Sequence, residues 1–135
     1  MSKRILFLCV ANSARSQMAE GLARARFGDA VEVVSAGSQP GRLNPLAVEV
    51  MREIGIDISA HYSKAVDTLD VATFDAVVTL CADEVCPLLP AGVRRLHWPT
   101  PDPAAVDVLA TPDAAREAFR QARQAIAERL HGFEP

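Results

Sequence analysis

A cysteine and an arginine separated by five residues form the segment with the clearest chemical potential. Cys9 ends a continuous apolar run and Arg15 begins a segment of helical periodicity, so the intervening loop joins a buried strand to a helix. In such a loop, successive backbone N–H groups can face one point, and the helix N-terminus adds partial positive charge. The spacing therefore predicts a receptor for a tetrahedral oxyanion, formed by Val10, Ala11, Asn12, Ser13, Ala14, Arg15 and Ser16.

Two side chains of this loop suit chemistry at the sulfur of Cys9. The planar guanidinium of Arg15 can hold two oxygens of an anion at once. Ser16 can hydrogen-bond a thiolate, Asn12 can brace the loop, and the positive field favours the ionised sulfur. Cys9 is therefore predicted to be a nucleophile. The cysteine-arginine spacing alone is a weak signal, because it is also compatible with a buried thiol and a surface arginine. The preceding strand, the following helix, Ser16 and Asn12 favour a catalytic loop.

The elements that must position this loop alternate between strand and helix patterns. Strands are predicted at residues 4–9, 31–35, 75–80 and 93–97, and the first and third of these contain buried apolar runs. Helical spacing predicts helices at residues 15–27, 45–54, 63–72 and 112–130, whereas the proline-rich residues 98–112 are predicted to be irregular. This alternation predicts one three-layer α/β/α domain over residues 1–135, with a four-stranded parallel sheet.

The exposed faces of two helices follow from the same spacing. In the first helix, Glu20, Arg24 and Arg26 are predicted to point towards water. In the last helix, the arginines are predicted to form a solvated face; they are Arg116, Arg120, Arg123 and Arg129.

Composition and charge restrict the function classes. The chain has 135 residues, 50% of them hydrophobic, with 14 basic against 17 acidic side chains and a net charge of -3. This balance gives no reason to expect binding to nucleic acid or to an anionic membrane. No apolar run approaches the roughly 18 residues of a membrane span. Three cysteines cannot all pair, so we expect the reducing cytoplasm, with thiols available for chemistry. We also expect a monomer.

Several motifs, spread over nearly the whole chain, resemble those of the low-molecular-weight tyrosine phosphatase superfamily. Within it they are most similar to the arsenate reductases that use an internal disulfide cascade. The motifs are residues 9–20 (CVANSARSQMAE), Ser35-Ala36-Gly37, Asn44-Pro45, Asp57-Ile58-Ser59 with His61 and Ser63, residues 77–81 (VVTLC), Cys86-Pro87, His97-Trp98 and Asp102-Pro103. The resemblance implies a low-molecular-weight phosphatase-like fold and assigns the general acid to Asp102.

The resemblance also implies a reaction that uses all three thiols. Cys9 attacks arsenate while Asp102 protonates the departing oxygen. Cys81 then attacks the sulfur of Cys9, which releases arsenite, and Cys86 passes the disulfide outward to a thioredoxin-like reductant. No cofactor and no metal are implied, and phosphate or sulfate are expected to compete with arsenate. Cys81 ends the third predicted strand and should share a sheet edge with Cys9.

Other functions stay open at this point. Cys81 and Cys86 lie closer together than the matching cysteines of well-known members, so glutaredoxin or a low-molecular-weight thiol is an alternative reductant. A phosphatase would use Cys9, Arg15 and Asp102 alone, and weak activity of that kind is expected in either case. Ala104 and Ala105 follow the Asp-Pro pair, where phosphatases of the family typically have a tyrosine. A third alternative is a non-enzymatic oxyanion or redox sensor.

Some relatives bind a monovalent cation behind the anion loop through an asparagine, a glutamate, a serine and an acid. Asn12, Glu20 and Ser35 match this set, but Lys64 stands in place of the acid. We predict that the Lys64 ammonium replaces the cation and pairs with Glu20; an exposed surface lysine is the alternative.

The histidines lack the spacing of a zinc site. His61 is interpreted as a structural residue. His97 and Trp98 are expected to pack at the mouth leading to Asp102.

Overall fold

The central feature of the fold is a four-stranded parallel sheet. The computed structural model describes residues 3–81, 93–105 and 111–135. The strands are β1 (Lys3–Cys9), β2 (Val31–Gly37), β3 (Ala76–Thr79) and β4 (Arg95–His97), in the order β2-β1-β3-β4. All three pairs of neighbouring strands are parallel, so the carboxyl ends of β1 and β3 meet at the same edge. The predicted strands are confirmed, with bounds that differ by up to two residues.

Three α-helices occur within the described ranges: α1 (Arg15–Phe27), α2 (Pro45–Arg52) and α3 (Pro112–His131). The bounds of α1 are those predicted. At the start of α2, the side chain of Asn44 accepts a hydrogen bond from the Leu46 amide at 2.9 Å, and Pro45 takes the first helical position. Short 3₁₀ turns lie at Gly28–Ala30, Val66–Thr68, Val71–Thr73 and Pro103–Ala105.

The predicted helix at residues 63–72 is wrong, because two 3₁₀ turns occupy this segment. The carbonyl of Lys64 accepts a hydrogen bond from the Gly37 amide at 2.9 Å, which ties the segment to the end of β2. The hydroxyls of Thr68 and Thr73 bond to carbonyls three residues earlier, at 2.7 Å each. Such local side-chain bonds compete with continuous helical pairing.

The two faces of the sheet are covered differently in the described chain. Side chains of β1, β2 and β3 on one face form a core with α1 and α3 that includes Ile5, Phe7, Val78, Ile126 and Leu130. On the opposite face, Leu6, Leu8 and Val77 pack beneath the segment that carries the two turns at residues 66–73. Burial on both faces explains why β1 is apolar from Ile5 to Cys9. The predicted α/β fold class is confirmed.

The arginines of α3 form ion pairs that were not predicted. Arg116 contacts Glu49 at 3.0 Å, and Arg120 contacts Glu53 at 2.7 Å. Arg123 contacts Glu53 at 2.9 Å. The predicted solvated face agrees with Arg116 and Arg120, whose side chains are 35% and 38% exposed, but not with Arg123, which is only 16% exposed because α3 packs beside α2. Hydrogen bonds from Arg120 and Arg123 lower the pKa of Glu53 to about 2.

None of the helices in the described ranges has both the length and the apolar character that crossing a membrane demands.

Candidate active site

The loop of residues 10–14 leaves the end of β1 and leads directly into α1. It passes very close to the end of β2. A Cβ atom at Gly37 would lie 2.3 Å from the Val10 carbonyl oxygen and 2.9 Å from the Asn12 nitrogen. Only glycine fits at this position, which gives a packing reason for the glycine of the Ser35-Ala36-Gly37 motif.

The carbonyl groups of the loop are turned away from its hollow side. The Val10, Ala11 and Ser13 oxygens accept hydrogen bonds from the backbone amides of Gln39, Gly41 and Asn44, at 2.9, 2.9 and 2.8 Å. The Asn12 oxygen accepts from Gln17 Nε2 at 3.0 Å and from Ser63 Oγ at 2.8 Å. A trans peptide directs its C=O and the following N–H to opposite sides, and the described chain has no cis bond. The amides of residues 11–14 therefore point towards the hollow side, as an oxyanion receptor requires.

Asn12 fixes the direction of the hydrogen bonds that reach the nucleophile. Its Oδ1 accepts from the Lys64 backbone amide at 2.9 Å, so its Nδ2 is the atom that donates to Ser16 Oγ at 2.7 Å. Ser16 Oγ lies 2.9 Å from Cys9 Sγ. Because Ser16 already accepts a hydrogen bond from Asn12, its own hydrogen can be donated to the sulfur. This arrangement places a hydroxyl donor against the sulfur of Cys9, which is only 3% exposed.

A cavity of about 260 Å³ lies in front of the loop. It is lined by Cys9, Val10, Ala11, Ser13, Ala14, Arg15, Asp102 and Ala104. The structure thus brings together the predicted nucleophile, the predicted anion clamp and the predicted general acid. The small side chains leave the charged and reactive groups as the main features of the cavity wall.

Arg15 and Asp102 are positioned by backbone groups of two other segments. The buried guanidinium of Arg15 donates to the carbonyl oxygens of Thr100 at 3.0 Å and Leu80 at 3.4 Å. The exposed side chain of Asp102 accepts from the Ala104 amide at 3.0 Å. This turn holds the carboxyl group at the rim of the cavity, where it can meet a departing oxygen.

The second predicted thiol lies at the same sheet edge. Leu8 pairs with Thr79, and the Leu80 amide donates to the Leu8 carbonyl at 2.9 Å, so Cys81 follows β3 close to the level of Cys9. Cys81 is fully buried and disulfide-bonded, whereas Cys9 is a free thiol. The third predicted thiol, Cys86, lies outside the described residues.

A buried carboxylate, Glu20, lies behind the loop. Its Oε1 accepts a hydrogen bond from Ser35 Oγ at 2.7 Å and lies 3.8 Å from Lys64 Nζ. Its Oε2 lies 3.1 Å from Arg24 and 3.5 Å from His61 Nδ1. The prediction that Glu20 points to water is wrong, because the first turns of α1 face β2 and the segment around residue 64. The predicted pairing of Glu20 with Lys64 is present.

The basic groups around Glu20 respond to their burial. Desolvation lowers the pKa of His61, and the charge of Glu20 opposes this shift while Arg24 and Lys64 reinforce it. Desolvation likewise lowers the pKa of Lys64, again against the attraction of Glu20. The Lys64 ammonium also donates to the Tyr62 carbonyl at 3.0 Å. With a side chain only 17% exposed, Lys64 is not a free surface lysine.

Sequence reasoning missed Gln17, which is fully buried behind the loop. Its Nε2 lies within 3.1 Å of three carbonyl oxygens, namely Asn12 O, Asn12 Oδ1 and Tyr62 O. A signal was available, since Gln17 and Glu20 are three residues apart and share a face of α1. The polarity of Glu20 nevertheless suggested exposure, and Gln17 was not considered.

His97 and Trp98 differ from expectation. Neither is among the described residues that line the cavity. His97 Nδ1 lies 2.7 Å from Thr79 Oγ1, and the Trp98 ring packs near Phe7 and Phe133 with centroid distances of 6.2 and 5.4 Å. Trp98 is a core residue because the large ring is buried on the α3 side of the sheet. Within the described ranges, no three His, Cys, Asp or Glu side chains are grouped so that they could hold a metal ion.

Residues 4–134 match the family model of the low molecular weight phosphotyrosine protein phosphatases. The chain belongs to this family. It is 45% identical over 136 residues to an arsenate reductase of Bacillus licheniformis, with 98% of this chain and 96% of the relative covered. An arsenate reductase of Bacillus subtilis is 44% identical over 134 residues, with 98% and 95% covered.

Solved structures of the family superpose on the fold. An arsenate reductase in the phosphate binding state gives a TM-score of 0.81 at 32% identity, covering 96% of this chain and 94% of that one. A thioredoxin-dependent arsenate reductase of Corynebacterium glutamicum gives 0.69 at 31% identity, covering 96% of this chain and 61% of that longer one.

Proposed function

We propose that this family member is an arsenate reductase that converts arsenate to arsenite through a covalent adduct on Cys9 and a disulfide relay over Cys9, Cys81 and Cys86. The relatives with the names given above support the substrate and the reaction. The observation that carries the proposal is the position of Cys81, at the carboxyl edge of β3 beside the strand that ends at Cys9. A hydrolase has no use for a second thiol at this place, whereas a reductase needs it as an electron donor.

Binding uses the loop amides and Arg15. Arsenate is a tetrahedral anion, and the amides of residues 11–14 offer several donors to its oxygens while Arg15 clamps two of them. Phosphate and sulfate have the same shape, so we expect them to compete.

The first chemical step forms a bond between sulfur and arsenic. The Cys9 thiolate, supported by the Ser16 hydroxyl, attacks the arsenic atom of arsenate. One oxygen leaves as water after Asp102 has protonated it. The product is a thiol adduct in which arsenic is still pentavalent.

The next steps move two electrons from sulfur to arsenic. Once the disulfide of Cys81 has been reduced, the Cys81 thiolate attacks the Cys9 sulfur, and the sulfur–arsenic bond breaks so that its electron pair stays on arsenic and arsenite leaves. Cys86 then attacks the Cys81 sulfur, which returns Cys9 to the thiolate. The remaining disulfide is reduced by a thioredoxin-type dithiol. The electrons come from thiols throughout, and no organic cofactor takes part.

The chemical groups that line the cavity also support weak phosphatase activity. Cys9, Arg15 and Asp102 are sufficient to transfer a phosphoryl group to sulfur and then to water. Ala104 lines the cavity next to Asp102 and offers no ring on which an aryl group could stack. We therefore expect phosphate esters to be poor substrates.

The test is arsenite production with thioredoxin, thioredoxin reductase and NADPH, measured beside para-nitrophenyl phosphate hydrolysis by the same preparation. The Cys9→Ser variant should lose both activities. The Cys86→Ser variant should release arsenite once per molecule and then stop. Normal steady-state reduction by Cys86→Ser would contradict the relay. Hydrolysis without reduction, also with glutathione, mycothiol or bacillithiol systems, would favour the phosphatase, and inactivity in all assays would favour a sensor.

We further propose that the protein acts as a monomer in the cytoplasm, where a reducing environment keeps its thiols available. The distribution of the protein between cell fractions and its mass in solution test these two points.

A further inference from the structure

A buried threonine in the proline-rich segment lies beside the anion clamp. Residues 99–103 read Pro-Thr-Pro-Asp-Pro, so Thr100 has a proline on each side, and it is only 3% exposed. Its amide donates to the Leu80 carbonyl at 3.2 Å, and its hydroxyl donates to the Trp98 carbonyl at 3.0 Å. Its own carbonyl accepts from Arg15 Nη1 at 3.0 Å. Thr100 therefore joins this segment both to the end of β3 and to the guanidinium.

The hydroxyl of Thr100 acts on the direction of its carbonyl. By bonding to the carbonyl two residues earlier, it closes a local turn of the backbone. Pro101 further restricts the conformation of the residue that precedes it. The turn and the proline together hold the Thr100 carbonyl against Arg15. We propose that Thr100 is a positioning residue for Arg15, and that its hydroxyl keeps the guanidinium in the orientation that clamps an anion.

The carbonyl contacts matter because an arginine side chain has many rotamers. Arg15 Nη1 donates to the Thr100 carbonyl and, at 3.4 Å, to the Leu80 carbonyl, so two fixed acceptors converge on one nitrogen. A guanidinium is planar, and anchoring one nitrogen in this way restricts the positions of the others. The clamp is then ordered before the anion arrives, and less conformational entropy is lost on binding.

Two substitutions at Thr100 separate this role from simple packing. Valine has nearly the shape of threonine but no hydroxyl, whereas serine keeps the hydroxyl and loses only a methyl group. The Thr100→Val variant should bind inorganic phosphate about three- to tenfold more weakly than the wild type, the effect of one lost hydrogen bond. The Thr100→Ser variant should bind it like the wild type. Equal binding by the two variants, or weaker binding by Thr100→Ser, would overturn the positioning role.

Thr73 offers a matched control far from the clamp. Its hydroxyl also donates to a backbone carbonyl, that of Asp70 at 2.7 Å, and it lies beside Arg4 at the amino end of β1. The Thr73→Val variant should bind phosphate like the wild type. A loss as large as that of Thr100→Val would mean that any missing hydroxyl bond loosens the anion site, and the assignment of this role to Thr100 would fail.

The order of the clamp is measured directly by ¹H–¹⁵N NMR of the arginine side chains at low temperature. In the wild type and in Thr100→Ser, Arg15 should show resolved Nη hydrogens, because its hydrogen bonds hinder rotation of the guanidinium. Its signals are identified by their loss in Arg15→Lys. In Thr100→Val they should broaden or merge. Unchanged signals in Thr100→Val, or averaged signals in the wild type, would overturn the proposal.

The binding measurement rests on the anion site of the proposed function, whereas the NMR measurement needs no anion. Neither one needs turnover or the relay thiols. A failure of arsenate reduction would therefore not be mistaken for a failure of the role of Thr100.

Discussion

The two sides of the anion loop are built on different principles. The front cavity is formed largely by backbone amides and small side chains, with three groups for chemistry, Cys9, Arg15 and Asp102. The back is a buried set of polar side chains, in which Gln17 and Glu20 are almost without solvent contact. The front can bind an anion because the backbone conformation directs the loop amides into the cavity. The polar side chains at the back stabilise that backbone conformation through their hydrogen bonds.

This difference separates two kinds of functional loss. Substitution of Cys9 or Asp102 should remove a chemical step while the loop and Arg15 still bind an anion. A substitution at the back should weaken anion binding while the chemical groups are intact. Measurements of turnover and of phosphate binding on the same variants therefore distinguish the two sides.

The largest expected effect is at the front, in the Asp102→Asn variant. Asparagine can still accept the hydrogen bond from the Ala104 amide, so the turn is preserved while the acidic proton is lost. Single-turnover arsenite release should slow roughly a hundredfold to ten-thousandfold, the usual contribution of a general acid. The dissociation constant of inorganic phosphate should stay close to that of the wild type. Unchanged arsenite release would remove Asp102 from the mechanism, and a large loss of phosphate binding would place it in the anion receptor instead.

The same contrast explains which parts of the structure the sequence predicts. The strand, loop and helix around Cys9 and Arg15 are contiguous, so periodicity and one short spacing predict them, including the bounds of α1. The two central strands, β1 and β3, were predictable because they contain apolar runs. Glu20 was misplaced because helical spacing treats a polar side chain as exposed, whereas its partners come from β2 and from residues far along the chain.

The failed helix at residues 63–72 has a related cause. The local pattern is compatible with a helix, but the backbone near Lys64 pairs with Gly37 and places its amide on Asn12. These contacts belong to the tertiary structure and leave no periodic trace. The resemblance to the family supplied Asn12, Glu20, Ser35 and Lys64 as a group, whereas it assigned no role to Gln17, although this residue lies in the first motif.

A smaller effect on the rate is expected at the back, where the Lys64 ammonium supplies the positive charge beside Glu20. The Lys64 ammonium already supplies a positive charge, 3.8 Å from the Glu20 carboxylate. Arsenate reduction by the wild type should therefore proceed at the same rate in potassium chloride and in sodium chloride of equal ionic strength. In the Lys64→Asp variant, an added carboxylate stands near Glu20 and Ser35, and potassium should raise the rate or the affinity for phosphate. A clear acceleration of the wild-type enzyme by potassium over sodium would show that the ammonium does not replace a cation.

The smallest effect on activity is expected far from both sides of the loop, at the ion pairs between α2 and α3. Arg120 and Arg123 lower the pKa of Glu53 from 4.5 to about 2, so the unfolded chain binds a proton at a higher pH than the folded one. The stabilising contribution of Glu53 is therefore complete above about pH 5 and declines as the pH falls towards 2. The Glu53→Gln variant should have a lower urea midpoint than the wild type at pH 7, and this difference should shrink steadily below pH 5. Its arsenate turnover and phosphate binding should match the wild type, because these pairs join helices that do not line the cavity. A loss of phosphate binding in this variant would mean that loop order depends on the packing of α2 and α3 as well as on the side chains behind Asn12. The back of the loop would then have to include these two helices.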